Sequence, residues 1–200
     1  MGILAKAPIP GLAKTRLQPV LGADRAAALQ ARFIERAVET AHAAAIGPIT
    51  LWGTPDAAHP TFRALATQRG LVLRSQPNGD LGERMRVALA ASGGPSLVIG
   101  SDCPALTCDH LRAAAEALCS GNDMVLVPVD DGGYALIGMR KPAVHLFTAM
   151  AWGTDTVATE TRRRARDLSL SCGELEQLWD VDVPDDLARM RREGFGHLLE

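Results

Sequence analysis

Short apolar runs alternate with segments of helical periodicity along most of the chain, and that alternation restricts the fold more than any other feature. Ile49–Trp52, Leu71–Arg74, Ser96–Gly100 and Met124–Pro128 are each short enough for a strand, and Gly2–Ala5 reads as the stub of a first one. Between them, Asp24–Ala45 carries Leu29, Phe33, Ala37 and Ala41 at fourfold spacing, which predicts a helix with one buried face. Further helices are expected around Pro60–Gln68, from Asp80 to about Ala91 and over Asp109–Leu118, and another beginning at Thr154. Nearly continuous apolar strands joined by helical crossovers imply a parallel sheet covered on both faces. Tyr134–Gly138 follows Met124–Pro128 through a glycine turn too short for a crossover, so it is expected to run antiparallel or to join a small flanking sheet. The prediction is an α/β fold: a Rossmann-like three-layer sandwich, mostly parallel, with a small antiparallel element.

A length of 200 residues suits one such domain over 1–200. With 47% hydrophobic and 22% charged residues and a net charge of -2, the composition offers no bulk attraction to nucleic acid or membrane. No apolar run approaches the roughly 20 residues of a membrane span, and the expected location is cytoplasmic. Cys103, Cys108, Cys119 and Cys172 lack the density of a disulfide scaffold and are expected as free thiols. Without a second cysteine pair or nearby histidines they make a poor zinc site. Nothing in the sequence marks an oligomer interface.

Ligands of parallel sheets bind outside the carboxyl ends of the strands, and the unusual residues fall there. The first strand runs into AKAPIPGLAKTRL, where Lys6, Lys14 and Arg16 stand close together with Gly11. Three neighbouring cations repel unless an anion lies among them, and a glycine-containing loop before a helix can hold phosphate oxygens. A kinase-type phosphate loop fails on spacing, since Ala13 stands where that motif needs glycine. A stiff surface loop with solvated bases is the plainer alternative.

GSDCPAL presents Asp102 just past a buried strand, where it could bind Mg²⁺ or Mn²⁺ or simply close an Asx turn. In WDVDVPDDL, Pro184 suits the first helical position and leaves Val183 at a cap it cannot make. Asp182 is then free to complete a metal site with Asp102, and Asp180 is the second choice. PVDDGGYALIG brings Asp131, Gly132, Gly133 and Tyr134 together. The glycines permit close approach of a ligand and Asp131 could move a proton, or the whole could be a tight turn. Glu83, three residues after Asp80, reads as part of a helix cap, and Arg162, Arg163, Arg164 and Arg166 as a solvated helix end. No spacing supports a nucleophile with a base.

Taken in order, KAPIPGLAKTRL, DLGERM, GSDCPAL, DGGYALIG, WGTDTV and DVDVPDDL resemble a small bacterial glycosyltransferase family of the GT-A-type nucleotide-diphospho-sugar transferase superfamily. Some members are linked to arsenosugar biosynthesis or radical-SAM partners, and the superfamily includes the molybdopterin and phospholactate nucleotidyltransferases. The resemblance implies a metal-dependent transferase with a nucleotide-activated donor and a small-molecule acceptor. A nucleotide-sugar donor is preferred over an NTP that releases pyrophosphate, and a non-catalytic nucleotide-binding domain is the third reading. It implies that Lys6, Gly11, Lys14 and Arg16 hold phosphates, Asp102 and Asp182 hold Mg²⁺ or Mn²⁺, and Asp131, Gly132, Gly133 and Tyr134 meet the transferred group or acceptor. Asp131 and Lys14 would carry the chemistry. Two features depart from the family pattern: the first strand is short, and Val183 replaces the more usual threonine.

Overall fold

The computed structural model describes residues 1–200. Seven strands form one sheet in the order β3-β2-β1-β4-β6-β5-β7. They are β1 (Gly2–Lys6), β2 (Thr50–Thr54), β3 (Val72–Ser75), β4 (Ser96–Ile99), β5 (Met124–Pro128), β6 (Tyr134–Met139) and β7 (Cys172–Glu174). All neighbours run parallel except β6, which is antiparallel to both β4 and β5. The antiparallel direction agrees with the sequence reading, but a flanking sheet does not: β6 lies inside the main sheet, because its apolar residues fit between two buried strands. The short first strand is central as well and pairs with β2 from Gly2 to Lys6.

The helices are α1 (Gln18–Leu21), α2 (Ala23–Ala44), α3 (Pro60–Arg69), α4 (Leu81–Ala90), α5 (Cys108–Cys119), α6 (Val144–Phe147), α7 (Val157–Asp167) and α8 (Pro184–Arg192). Strand alternation sorts the core into two layers. Leu97, Ile99, Val125 and Val127 face Ile34 and Val38 of α2, Phe62 of α3 and Leu111 of α5. Val98, Met124, Leu126 and Ile137 face Met85 and Leu89 of α4, Leu146 and Phe147 of α6 and Ala165 of α7. Each large apolar side chain buried this way contributes about 1.5–3 kcal/mol. A third cluster, with Leu17, Phe33, Trp179, Val181 and Leu187, ties the opening loop to the chain's last elements.

That third cluster brings residues 179–182 beside the loop after β1. Strand β7, which the sequence pattern did not signal, guides the chain there by pairing with the free edge of β5. A parallel bridge from Val129 to Leu178 prolongs the pairing. Helix α7 starts at Val157, three residues after the expected Thr154, because residues 152–154 form the wall of a cleft rather than a first turn. No helix is long and apolar enough to cross a membrane.

Candidate active site

The chain leaves β1 toward β2 and β3 on one side and then returns to place β4 on the other, so the sheet's switch point lies between β1 and β4. A cavity of about 430 Å³ opens there at the strands' carboxyl ends. Lys6, Lys14, Asp102, Asp131, Asp180 and Asp182 all line it. Part of its remaining wall is apolar, with Leu4 and Val98 from the sheet, Leu81 and Met85 from α4, and Trp152.

The bases of the opening loop do not simply await a phosphate. Lys14 takes a left-handed backbone, φ +44°, and its side chain is only 6% exposed. Its Nζ donates to the Val181 carbonyl at 2.6 Å and to Asp102 Oδ2 at 3.2 Å, and lies 4.0 Å from Asp182 Oδ1. The Phe33 ring lies beneath it, 5.7 Å from the ammonium. Arg16 is well exposed and donates to Asp182 Oδ2 at 2.6 Å. The anion that the sequence demanded is thus supplied, for Lys14 and Arg16, by the protein's own carboxylates. Lys6 lines the cavity without such a partner, whereas Gly11 and Arg16 do not line it.

The acids come from three separate segments. Asp102 follows β4, and its carbonyl accepts from Val181 N at 2.9 Å, which fixes residues 180–182 against the Asp102 turn. Asp186 accepts from the N–H groups of both Asp182 and Val183 at 2.8 Å. The departure at Val183 is thereby made good from within α8, and the Asp182 carboxylate is not spent on capping. Burial pushes the Asp180 carboxyl up to about 7, and negative Asp102 and Asp131 add to the rise while Lys14 opposes it. Asp102 and Asp131 thus set a negative potential at Asp180. No three histidine, cysteine, aspartate or glutamate side chains converge closely enough to enclose a metal on their own. Asp102 and Asp182 do converge on one cation, the Lys14 ammonium. An oxygen-only pair suits Mg²⁺ or Mn²⁺, which bind through one or two carboxylates and take the rest of their shell from phosphate and water.

The turn from β5 to β6 divides its residues between structure and site. Asp131 lines the cavity while its Oδ1 accepts from Gly133 N at 2.8 Å, so it closes the turn and faces the cavity at once. Gly132 does not line it. Its φ is +87°, and an added Cβ would stand 2.0 Å from the Asp155 carbonyl oxygen. Its own carbonyl accepts from Ala158 N at 2.8 Å. The glycine therefore serves the docking of the 155–158 backbone, not the approach of a ligand. Tyr134 lines the cavity with its ring, but its hydroxyl is buried without a hydrogen-bond partner, and burial raises its pKa. It is an aromatic wall and not an acid or base near neutrality. Asp130 points elsewhere, to Gln177 at 2.6 Å and to Arg189 of α8.

Residues 20–154 match the family of uncharacterized proteins conserved in bacteria, DUF2064. The chain belongs to DUF2064. No curated protein matches it. Among solved structures, this DUF2064 chain is similar to a protein of Desulfovibrio desulfuricans G20 provisionally named a nucleotide-diphospho-sugar transferase. Identity is 27% and the TM-score 0.84, over 99% of this chain and 92% of that one. A cytidylyltransferase from Leptospira borgpetersenii is similar at 10% identity and TM-score 0.62, covering 92% of this chain and 81% of that one. Glucosyl-3-phosphoglycerate synthase from Mycobacterium tuberculosis, solved with Mn²⁺, UDP and glucosyl-3-phosphoglycerate, is similar at 13% identity and TM-score 0.56, covering 99% and 77%. The DUF2064 chain thus has the nucleotide-diphospho-sugar transferase fold.

Three site residues escaped the sequence reading. Gln30 of α2 is almost fully buried and donates to the Lys6 carbonyl at 3.1 Å and to Ser101 Oγ at 3.2 Å, clamping the ends of β1 and β4. The available signal was a glutamine on an otherwise apolar helix face. Trp152 and Thr154 line the cavity from WGTDTV, a block whose likeness was noted without a role.

Proposed function

We propose that this chain is a metal-dependent transferase that uses a nucleotide-activated donor, in the first place a glycosyltransferase using a nucleotide-diphospho-sugar. The observation that carries the reading is the gathering of Lys6, Lys14, Asp102, Asp131 and Asp182 around one cavity at the switch point of this fold. The name of the Desulfovibrio protein supports it. Pocket-lining cations support glycosyl over nucleotidyl transfer. Only Lys6 and Lys14 line the cavity, enough for a diphosphate, with no further cation for an acceptor phosphate.

In this reading Lys6 and Lys14 bind the donor's diphosphate, and Asp102 and Asp182 hold Mg²⁺ or Mn²⁺. The ion, when bound, neutralises charge that builds on the departing diphosphate. Asp131, held at one oxygen by Gly133 N, takes the proton of the acceptor hydroxyl with the other. The acceptor oxygen then bonds to the anomeric carbon as the sugar–phosphate C–O bond breaks, and the nucleoside diphosphate leaves with the electron pair. Trp152, Tyr134 and Met85 exclude water from the reacting centre, and the acceptor is a small molecule that fits the remaining apolar cleft. The domain of residues 1–200 acts as one unit in the cytoplasm.

Calorimetry with a panel of nucleoside triphosphates and nucleotide-sugars, with and without Mg²⁺ or Mn²⁺, tests this on wild type and Asp102→Ala. The expected result is metal-dependent binding that Asp102→Ala removes, with a nucleotide-sugar preferred. Preference for a triphosphate would favour nucleotidyl transfer, and binding indifferent to metal and mutation would refute the catalytic reading.

A further inference from the structure

The Lys14 ammonium stands at the point on which Asp102 and Asp182 converge, and it is no mobile surface cation. Its side chain is 6% exposed, its backbone is left-handed at a non-glycine residue, and the Val181 carbonyl fixes its tip at 2.6 Å. We propose that Lys14 is an internal counter-cation which makes divalent-metal binding by Asp102 and Asp182 conditional on arrival of the donor's diphosphate. The inference rests on the metal-dependent reading above and adds an order to it.

The argument is electrostatic. A dication and an ammonium placed on the same two carboxylates repel strongly at distances near 4 Å in a site of reduced dielectric. Metal alone would have to expel Lys14, and a lysine buried this far would then lack a counter-ion, which is costly. A diphosphate removes that cost, because Lys14 lines the cavity in which it would lie and can turn from carboxylate to phosphate. Lys6, which has no carboxylate to release, offers the first contact. Arg16 keeps Asp182 in position through Oδ2 while Oδ1 changes cation. Metal and diphosphate therefore bind cooperatively, and linkage requires that each strengthen the other by the same factor.

The test is Mn²⁺ affinity without nucleotide, read from the electron paramagnetic resonance of free Mn²⁺. Lys14→Gln, which loses the charge but can still donate to the Val181 carbonyl, should bind Mn²⁺ at least tenfold more tightly than wild type. Lys14→Arg should stay as weak as wild type, and adding Asp102→Asn to Lys14→Gln should cancel the gain. Amine-detected NMR of wild type serves if the variants do not fold. Mg²⁺ with pyrophosphate should move the Lys14 Nζ resonance, and Mg²⁺ alone should not. Equal Mn²⁺ affinity in wild type and Lys14→Gln, or displacement of Lys14 by Mg²⁺ alone, overturns the counter-cation role and leaves the metal site standing. Absence of Mn²⁺ binding in every variant, with pyrophosphate present, overturns both.

Discussion

Replacing Gly132 by alanine should damage the protein more than its place on an exposed turn suggests. The residue is at φ +87°, where a side chain adds about 1–2 kcal/mol of strain. The new methyl carbon would lie 2.0 Å from the Asp155 oxygen and 2.5 Å from the Asp155 Cα, and these are backbone atoms that cannot turn aside. Separating them loosens the 2.8 Å hydrogen bond from Ala158 N to the Gly132 carbonyl, at about 1 kcal/mol. Forced displacement of packed segments adds about 1–3 kcal/mol. The sum is about 3–6 kcal/mol, and at about 2–4 °C per kcal/mol for a chain of this size the melting temperature should fall by about 6–24 °C.

Gly153 provides the control, because it also has a positive φ, +78°, and has nothing within 4 Å of an added Cβ. Gly153→Ala should cost the strain alone, about 1–2 kcal/mol. Urea unfolding of both variants measures the difference. If Gly132→Ala falls within about 1 kcal/mol of Gly153→Ala, the turn does not hold the 155–158 backbone in the way argued.

Three further outcomes are expected. Burial, with smaller contributions from Asp102 and Asp180, pushes the Cys103 thiol up to about 12, so at pH 8 iodoacetamide should label exposed Cys119 in the native protein and Cys103 only after unfolding; native labelling of Cys103, located by peptide mass spectrometry, would contradict this. Hydrogen bonds from Arg163 and Arg164 hold the Glu160 carboxyl at about 2, below its ordinary 4.5, so it stabilises the fold above about pH 4.5 and that contribution fades as pH falls toward 2. Glu160→Gln should therefore flatten the acid limb of the melting temperature against pH, and a limb parallel to wild type would refute the assignment. Arg164 donates to the carbonyls of Thr148 at 2.5 Å and Ala149 at 3.1 Å from a mostly buried position, so Arg164→Ala should destabilise by about 2–3 kcal/mol in urea, whereas exposed Arg166→Ala should stay within about 0.5 kcal/mol.

The parts of the fold that could be read from sequence are those whose cause is local. Met124–Pro128 is a strand with the bounds expected of it, since a wholly apolar run between Asp123 and a proline-ended turn has no competing conformation. Asp80 caps α4 as its spacing indicated, although Glu83 completes no capping box and turns instead to Arg86 at 2.7 Å. Strand β7 was illegible, because Cys-Gly-Glu has no strand pattern of its own and is extended only by pairing with β5. The central position of β6 was illegible for a related reason: a hairpin reveals its direction through the length of its turn but not which strand covers its other edge.

The candidate site follows the same division. That Lys14, Asp102 and Asp182 belong to a carboxyl edge could be argued from strand ends, yet Lys14 reaches Asp102 and Val181 across 88 and 167 residues of chain, and that contact depends on the cluster that docks Trp179 and Val181 beneath the opening loop. Sequence reasoning assigned the bases to an external anion and the acids to an external cation, because unlike charges far apart in the chain show no sign of meeting. The structure pairs them with each other. A ligand carrying both a diphosphate and a divalent ion can replace that pairing without leaving either sign of charge uncompensated. If the proposed order of binding holds, that pairing is what favours a metal–nucleotide complex over either component alone.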